Sequence, residues 1–203
     1  MDIQQYRRSE HEVSPLFLNR WSPRSFTGDD ISDDVLFRLF EAARWAPSAR
    51  NVQPWRFLYA KRQTPDFTVF VDFLVAQNQS WARQASALVV LLSAKTFIVD
   101  GTETPLASHS FDAGAAWAAL SLQANLSGWH THAMGGFDRE KVRRALSVPD
   151  DFAIEVVIAI GKIGDKDALP PGLKEREVPT GRLALEELVT AGAFRDRPSV
   201  ARS

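Results

Sequence analysis

The stretch APSARNVQPW, residues 46–55, sets two prolines, two amides, a serine and a tryptophan directly after a run of helical character. Pro47 and Pro54 each fix φ and bias the residue before them away from the α region, so the polar groups between them stand on a stiff loop. Taken alone, the segment reads as a ligand cradle or as a helix stop with a turn into the next strand. Its neighbours show what it joins. Upstream, Val35, Leu36, Leu39, Phe40 and Ala43 recur at helical spacing behind Ser32 as N-cap, with Asp33 and Asp34 in the first turn. Downstream, WRFLYA (55–60) reads as a buried strand.

Working outward, Val13, Leu16 and Phe17 have helical spacing, and Pro23, by restricting Ser22, predicts a helix end near Arg20. Phe67 to Gln77 reads as an apolar helix, ALVVLLSA (87–94) as a buried strand, and residues 95–110 as a loop. Phe111 to Gly128 is alanine-rich and apolar almost all round, as in a central helix buried on several sides, with Gly128 as its stop. Asp138 caps a short helix, FAIEVVIAIG (152–161) is a third core strand, and residues 162–182 form a Pro/Gly-interrupted arm before a short helix at ALEELV. Helices of unequal length mixed with strands, without regular alternation, predict an α+β fold. The 203 residues suit one domain over about 10–190 with a C-terminal tail at 191–203.

Composition narrows the function classes. Lys plus Arg number 24 and Asp plus Glu 25, a formal charge of −1, so no global basic field would draw nucleic acid and any anion must be held by local charge. Cysteine is absent, so redox chemistry would need a cofactor to carry the electrons. The N-terminal MDIQQYRRSEHEVS lacks the apolar core of a signal peptide and no later run has the length of a membrane span, which points to a soluble, cytoplasmic protein.

In RWSPRSF (20–26), Arg20 and Arg24 flank Ser22 and the rigid Pro23, two guanidinium groups and a hydroxyl that match a phosphate's oxygens; dipole-favoured arginines at a helix end fit the same pattern. Gly135 and Gly136 in MGGFD (134–138) allow a ligand close to the backbone, and equally a turn into the helix capped by Asp138. No G-x-G-x-x-G follows a strand, no G-x-x-x-x-G-K-[ST] is present, and no G-x-S-x-G elbow exists. His130 and His132 lack the i, i+4 spacing and the extra ligands a metal needs, so no metal is expected.

In this order, NRWSPRSF, AARWAPSARNVQPWRF, NQSWARQASALVV, GWHTHAMGGFD and TGRLALEEL resemble the FMN-dependent nitroreductase family from about residue 15 to 190. The family's Pro-Ser-Ser-x-Asn-x-Gln-Pro-Trp is met at Pro47, Ser48, Asn51, Gln53, Pro54 and Trp55, with Ala49 in place of the second serine. The resemblance implies a central, mostly antiparallel sheet flanked by helices, in an intertwined homodimer with FMN at the interface and the arm at 162–182 wrapping the partner. It further implies that Arg20, Ser22 and Arg24 bind the FMN phosphate, ribityl chain and pyrimidine edge. Asn78 would approach the ring's polar edge, Gly135 and Gly136 donate to flavin N5, and Arg182 complete the phosphate clamp. Pro47, Ser48, Ala49 and Asn51 would lie against the flavin held by the other subunit. Trp81 stands where some members have a lysine, and Thr180 replaces a second basic residue. No side chain is implied as nucleophile or base, because the flavin would exchange hydride between NADH or NADPH and an electron-poor small-molecule acceptor such as a nitroaromatic or quinone. Flavin-fragmenting, dehalogenating or enal-reducing FMN enzymes of the same fold, and a flavin-free interaction protein, are the alternatives. No partner nucleic acid or membrane is implied.

Overall fold

The computed structural model describes residues 3–194. Its elements follow the chain as α1 (Pro15–Asn19), α2 (Asp33–Arg44), β1 (Trp55–Lys61), α3 (Pro65–Asp72), α4 (Ala76–Ala82), β2 (Ala87–Ala94), β3 (Thr96–Val99), β4 (Thr102–Pro105), α5 (His109–Leu126), β5 (His130–Met134), α6 (Arg139–Ala145), β6 (Phe152–Gly161), α7 (Pro171–Lys174) and α8 (Leu185–Leu188). Four strands form an antiparallel sheet in the order β1-β2-β6-β5, which with the flanking helices is the α+β arrangement expected.

The apolar run of β2 is continuous because both of its faces are covered. Leu88, Val90 and Leu92 point to one side, into a core with Phe67 and Phe70 of α3, Trp81 of α4 and Val142 of α6. Ala87, Val89 and Leu91 point to the other, against Leu36, Leu39 and Ala43 of α2 and Ala116, Leu120 and Ala124 of α5. Period-two alternation thus survives inside a sequence that shows none, since each face meets its own helical layer. Ser32 caps α2 by accepting the Val35 N–H at 3.3 Å, and Asp138 caps α6 by accepting that of Lys141 at 2.9 Å, both as the sequence predicts.

The structure corrects the reading of two segments and adds a strand. The helix expected over Phe67–Gln77 is two helices, α3 and α4, parted at Phe73–Val75. There the backbone pairs across space instead of along the helix: Asp138 N–H donates to Phe73 O at 2.9 Å and Val75 N–H to Gly136 O at 3.1 Å. The expected loop at 95–110 contains a hairpin, β3 to β4, whose turn residues Asp100 (φ 49°) and Gly101 (φ 76°) are both left-handed, the Asp-Gly chemistry of a tight hairpin. His130–Met134 is the outer strand β5, unrecognised in a polar, histidine-interrupted run. In the arm expected at 162–182, Leu169 and Leu173 enter the core of their own chain and Phe26 bridges to Ile163.

Helix α5 buries one side only. Ala113, Ala116, Leu120 and Ala124 face the sheet, while Phe111 is 82 % and Leu126 65 % exposed, so the apolar opposite side lacks the cover expected for such a helix. Among the described residues no helix is long and apolar enough to cross a membrane. Most of the tail expected at 191–203 (residues 195–203) lies outside the described residues.

Candidate functional site

Four stretches of the chain, at Arg7, 20–24, His132 and 175–182, meet in one cleft of about 510 Å³, lined among others by Arg7, Arg20, Ser22, Arg24, Arg176 and Arg182. Helix α1 starts behind Ser14, whose hydroxyl accepts the Leu16 N–H, and Pro15 occupies its first turn; it ends at Arg20, which caps it by donating its N–H to Leu16 O at 3.3 Å. From that helix end the Arg20 guanidinium turns toward Ser22, with Nη1 3.3 Å from Oγ. Arg7 locks the helix end to the arm: its Nη1 donates to Leu18 O at 2.8 Å and Arg20 O at 2.6 Å, and its Nε to Thr180 O at 2.9 Å.

These guanidinium groups perturb one another. Burial, with Arg182 next, lowers the pKa of Arg20, and burial, then Arg182 and Arg20, lowers that of Arg7. All remain cationic, so the cluster stores like-charge repulsion that an anion in the cleft would relieve. Sequence reasoning finds Arg20, Ser22, Arg24 and Arg182 but misses Arg7 and Arg176, because the arginines of QQYRRSE and LKEREV carry no local ligand-binding pattern; only tertiary folding brings them to the cleft.

His132 forms part of the cleft wall. Its Nδ1 donates to Pro23 O at 3.0 Å, since a carbonyl can only accept, and its ring packs on Trp81 with centroids 4.7 Å apart. Trp81 is therefore core, supporting the cleft from beneath. Burial, reinforced by Arg20, pushes His130 down to about 4; burial, opposed by the Pro23 bond and reinforced by Arg24, pushes His132 down to about 4 as well. An unfolded histidine titrates near 6.5, so the unfolded chain binds more protons between pH 6.5 and 4. Stability is full above pH 6.5 and falls as the pH drops toward 4, by an amount on the order of a few kcal/mol for the pair. Urea unfolding at pH 7 and pH 4.5 should show this loss, and it should flatten in a His130→Gln/His132→Gln variant; equal stability of the native protein at both pH values would refute the assignment.

From His132, β5 runs on to Gly135 and Gly136, three and four residues along, or about 10–13 Å at strand rise. A side chain at Gly135 would meet open space, whereas a Cβ at Gly136 would lie 2.9 Å from Asn78 Nδ2 and 3.1 Å from Val75 Cγ2. Asn78 Nδ2 donates to Gly136 O at 3.1 Å. The break between α3 and α4 thus brings Asn78 to the Gly-Gly turn, further along the chain from His132 and outside the residues that line the cleft.

The loop that carries Pro47, Ser48, Ala49 and Asn51 is elsewhere. Buried Asp112, near the start of α5, accepts the Ala49 N–H at 3.2 Å and the Ser108 hydroxyl at 3.0 Å. Ser48 Oγ accepts the Gln53 N–H at 3.0 Å, and Arg50 lies 5.7 Å over the Phe97 ring of the hairpin. Arg50, Asn51 and Gln53 have φ of 52°, 55° and 53°, left-handed conformations that non-glycine residues adopt only when held. At the other end of α5, Asn125 Nδ2 lies 3.5 Å from Asn19 O, next to Arg20. Asn125 lies thirteen helical steps beyond Asp112, roughly 20 Å. The loop also enters β1, the sheet edge opposite β5, about three strand spacings or 14 Å away. One protomer does not bring the loop and the arginine cleft together.

Residues 18–162 match the Nitroreductase family. The chain is 46 % identical to a crystallographically determined oxidoreductase containing FMN, with a TM-score of 0.92, covering 94 % of this chain and 97 % of that one. It is 35 % identical over 123 residues to a 15.4 kDa protein in the ask 5′ region of Mycolicibacterium smegmatis, covering 60 % of this chain and 80 % of that protein. It is also 25 % identical over 201 residues to an NADH dehydrogenase of Thermus thermophilus, covering 85 % and 92 %.

Proposed function

The chain belongs to the nitroreductase family, and on that premise we propose that it is an FMN-dependent oxidoreductase passing hydride from NADH or NADPH to an electron-poor acceptor such as a nitroaromatic or quinone. The observation that carries this reading is the convergence of Arg7, Arg20, Arg24, Arg176 and Arg182 on one cleft. A phosphomonoester with nearly two negative charges fits that donor set, and the cleft's 510 Å³ is in the range of cofactor pockets. FMN held there would supply the hydride chemistry.

The chain's own residues then bind and orient. Arg20 and Arg182 would hold the phosphate, Ser22 and Arg24 would serve the polar chain and the pyrimidine edge, and Asn78 with the Gly135–Gly136 backbone would take the far end of the strand path. A guanidinium at the edge where reduction places negative charge stabilises that charge electrostatically. Neutral His132 adds no charge of its own. Residues 47–51 complete the site of a second copy: they lie about 20 Å from their own cleft along α5, and the uncovered apolar side of α5 with Phe111 and Leu126 is a surface a second copy would bury.

The test is direct. Purified protein should release FMN on heating, identified by chromatography, and anaerobic mixing with NADH or NADPH should bleach the bound flavin. FAD in place of FMN, or no flavin after reconstitution, would sink the proposal.

A further inference from the structure

Glu177 is 2 % exposed, although nothing in LKEREV distinguishes it from its exposed neighbours. It follows α7 by one turn, its N–H donating to Lys174 O at 3.2 Å, and Leu173 of that helix is anchored in the core. Its Oε1 accepts two consecutive backbone N–H groups, from Arg24 at 2.6 Å and Ser25 at 2.8 Å. Its Oε2 is buried, 3.7 Å from Arg24 Nη1, too far for a hydrogen bond and close enough for Coulomb attraction. The same segment is held from its other side: Gly164 N–H donates to Ser25 O at 2.9 Å, Thr27 N–H to Lys162 O at 3.1 Å, and Ser25 Oγ to Asp165 O at 2.6 Å.

A buried carboxylate with one oxygen lacking a donor is costly, and a shape-matched neutral side chain would serve packing as well. What the carboxylate adds is control of Arg24. We infer that Glu177 is a positioning residue of the cofactor cleft: it fixes the backbone from which Arg24 projects and, through its second oxygen, sets the charge that Arg24 presents to the bound group. The two amides that Glu177 occupies are withdrawn from the ligand, so recognition by this segment passes to the Arg24 and Ser22 side chains. This inference rests on the proposal that the cleft holds FMN.

Full-length protein stripped of flavin and titrated with FMN separates position from charge. Glu177→Ala removes both acceptors and should weaken FMN binding about ten- to hundredfold. Glu177→Gln keeps an oxygen for the two N–H groups and should restore affinity to within about threefold of the native protein, a rescue that shape and hydrogen bonding allow. The midpoint potential of the bound flavin in Glu177→Gln should move to a more positive value, because Arg24 loses its counter-charge and reduction adds negative charge nearby. That shift should vanish when Arg24→Gln is combined with Glu177→Gln, which decides the matter even if Glu177→Ala does not fold. Native affinity in Glu177→Ala, failed rescue by Glu177→Gln, or an unmoved potential would overturn the inference. Failure of the native protein to bind FMN would instead overturn the cofactor proposal.

Discussion

Replacing Arg20 and Arg182 together with alanine should lower FMN affinity by about a hundred- to ten-thousandfold, each residue removing a charge-assisted interaction of roughly 1.5–3 kcal/mol. The stability of the flavin-free protein should move the other way or stay level. Among the described residues Arg182 makes only local bonds, from Nη1 to Thr180 O at 3.3 Å and Gly181 O at 2.8 Å, and after burial it is the like-charge neighbour that most depresses the pKa of Arg7 and Arg20. Removing it relieves repulsion in the empty cleft. A residue that costs stability without ligand and supplies affinity with it is placed for the ligand. Apoprotein titration with FMN and urea unfolding of the apoprotein give the two measurements. Native affinity in the double variant would mean that the arginines are surface decoration.

The second large effect is expected in a mixed dimer, with Asn51→Ala on one chain and Arg20→Ala on the other. If each site takes its cleft from one chain and its loop from the partner, both defects fall in one site and the other keeps native components throughout. Reconstitution with FMN should then be biphasic, with half the sites binding as in the native protein and half more weakly than in either homodimeric variant. The basis is geometric: Asp112 holds the Ala49 N–H at one end of α5, and Asn125 approaches Asn19 at the other. Two equally impaired sites, each showing one single-variant defect, would place the loop on its own chain's cofactor. Arg20→Ala is informative here because the fold at α1 leans on the Arg20 backbone, whose carbonyl accepts Arg7 Nη1, and not on its side chain.

Much of the fold was legible in local chemistry. The Ser32 and Asp138 caps, the end of α1 at Arg20 and the strands at 55–61, 87–94 and 152–161 follow from capping, proline restriction and continuous apolar runs, which act over a few residues. The Asp100-Gly101 turn is equally local, with β-branched Val99 and Thr102 on either side of it, but its polar surroundings give the hairpin no apolar alternation. The break at Phe73–Val75 was not legible. An apolar run of helical spacing continues through it, and only pairing with residues 136–138, more than sixty positions away, stops the helix. Strand β5 was hidden for a related reason: as an edge strand with two histidines packed near arginines and a tryptophan, it has no alternation to read.

The sequence by itself determined the chemistry available to this protein: no thiol, no nucleotide fingerprint, and a set of arginines, amides and glycines in an order that resembles one family. It also determined where helices and strands begin wherever caps and prolines act locally. Only the tertiary structure decided which arginines share a cleft, that Arg7 and Arg176 join those expected, that Glu177 lies beneath Arg24, and that the 46–54 loop stands apart from the cleft of its own chain. The physical reason is range. Dihedral preference and capping are settled by neighbours within a turn, whereas convergence of charges, burial of a carboxylate and separation of the loop from the cleft depend on chain crossings of up to about 170 residues, such as Arg7 to Thr180, that no local pattern encodes.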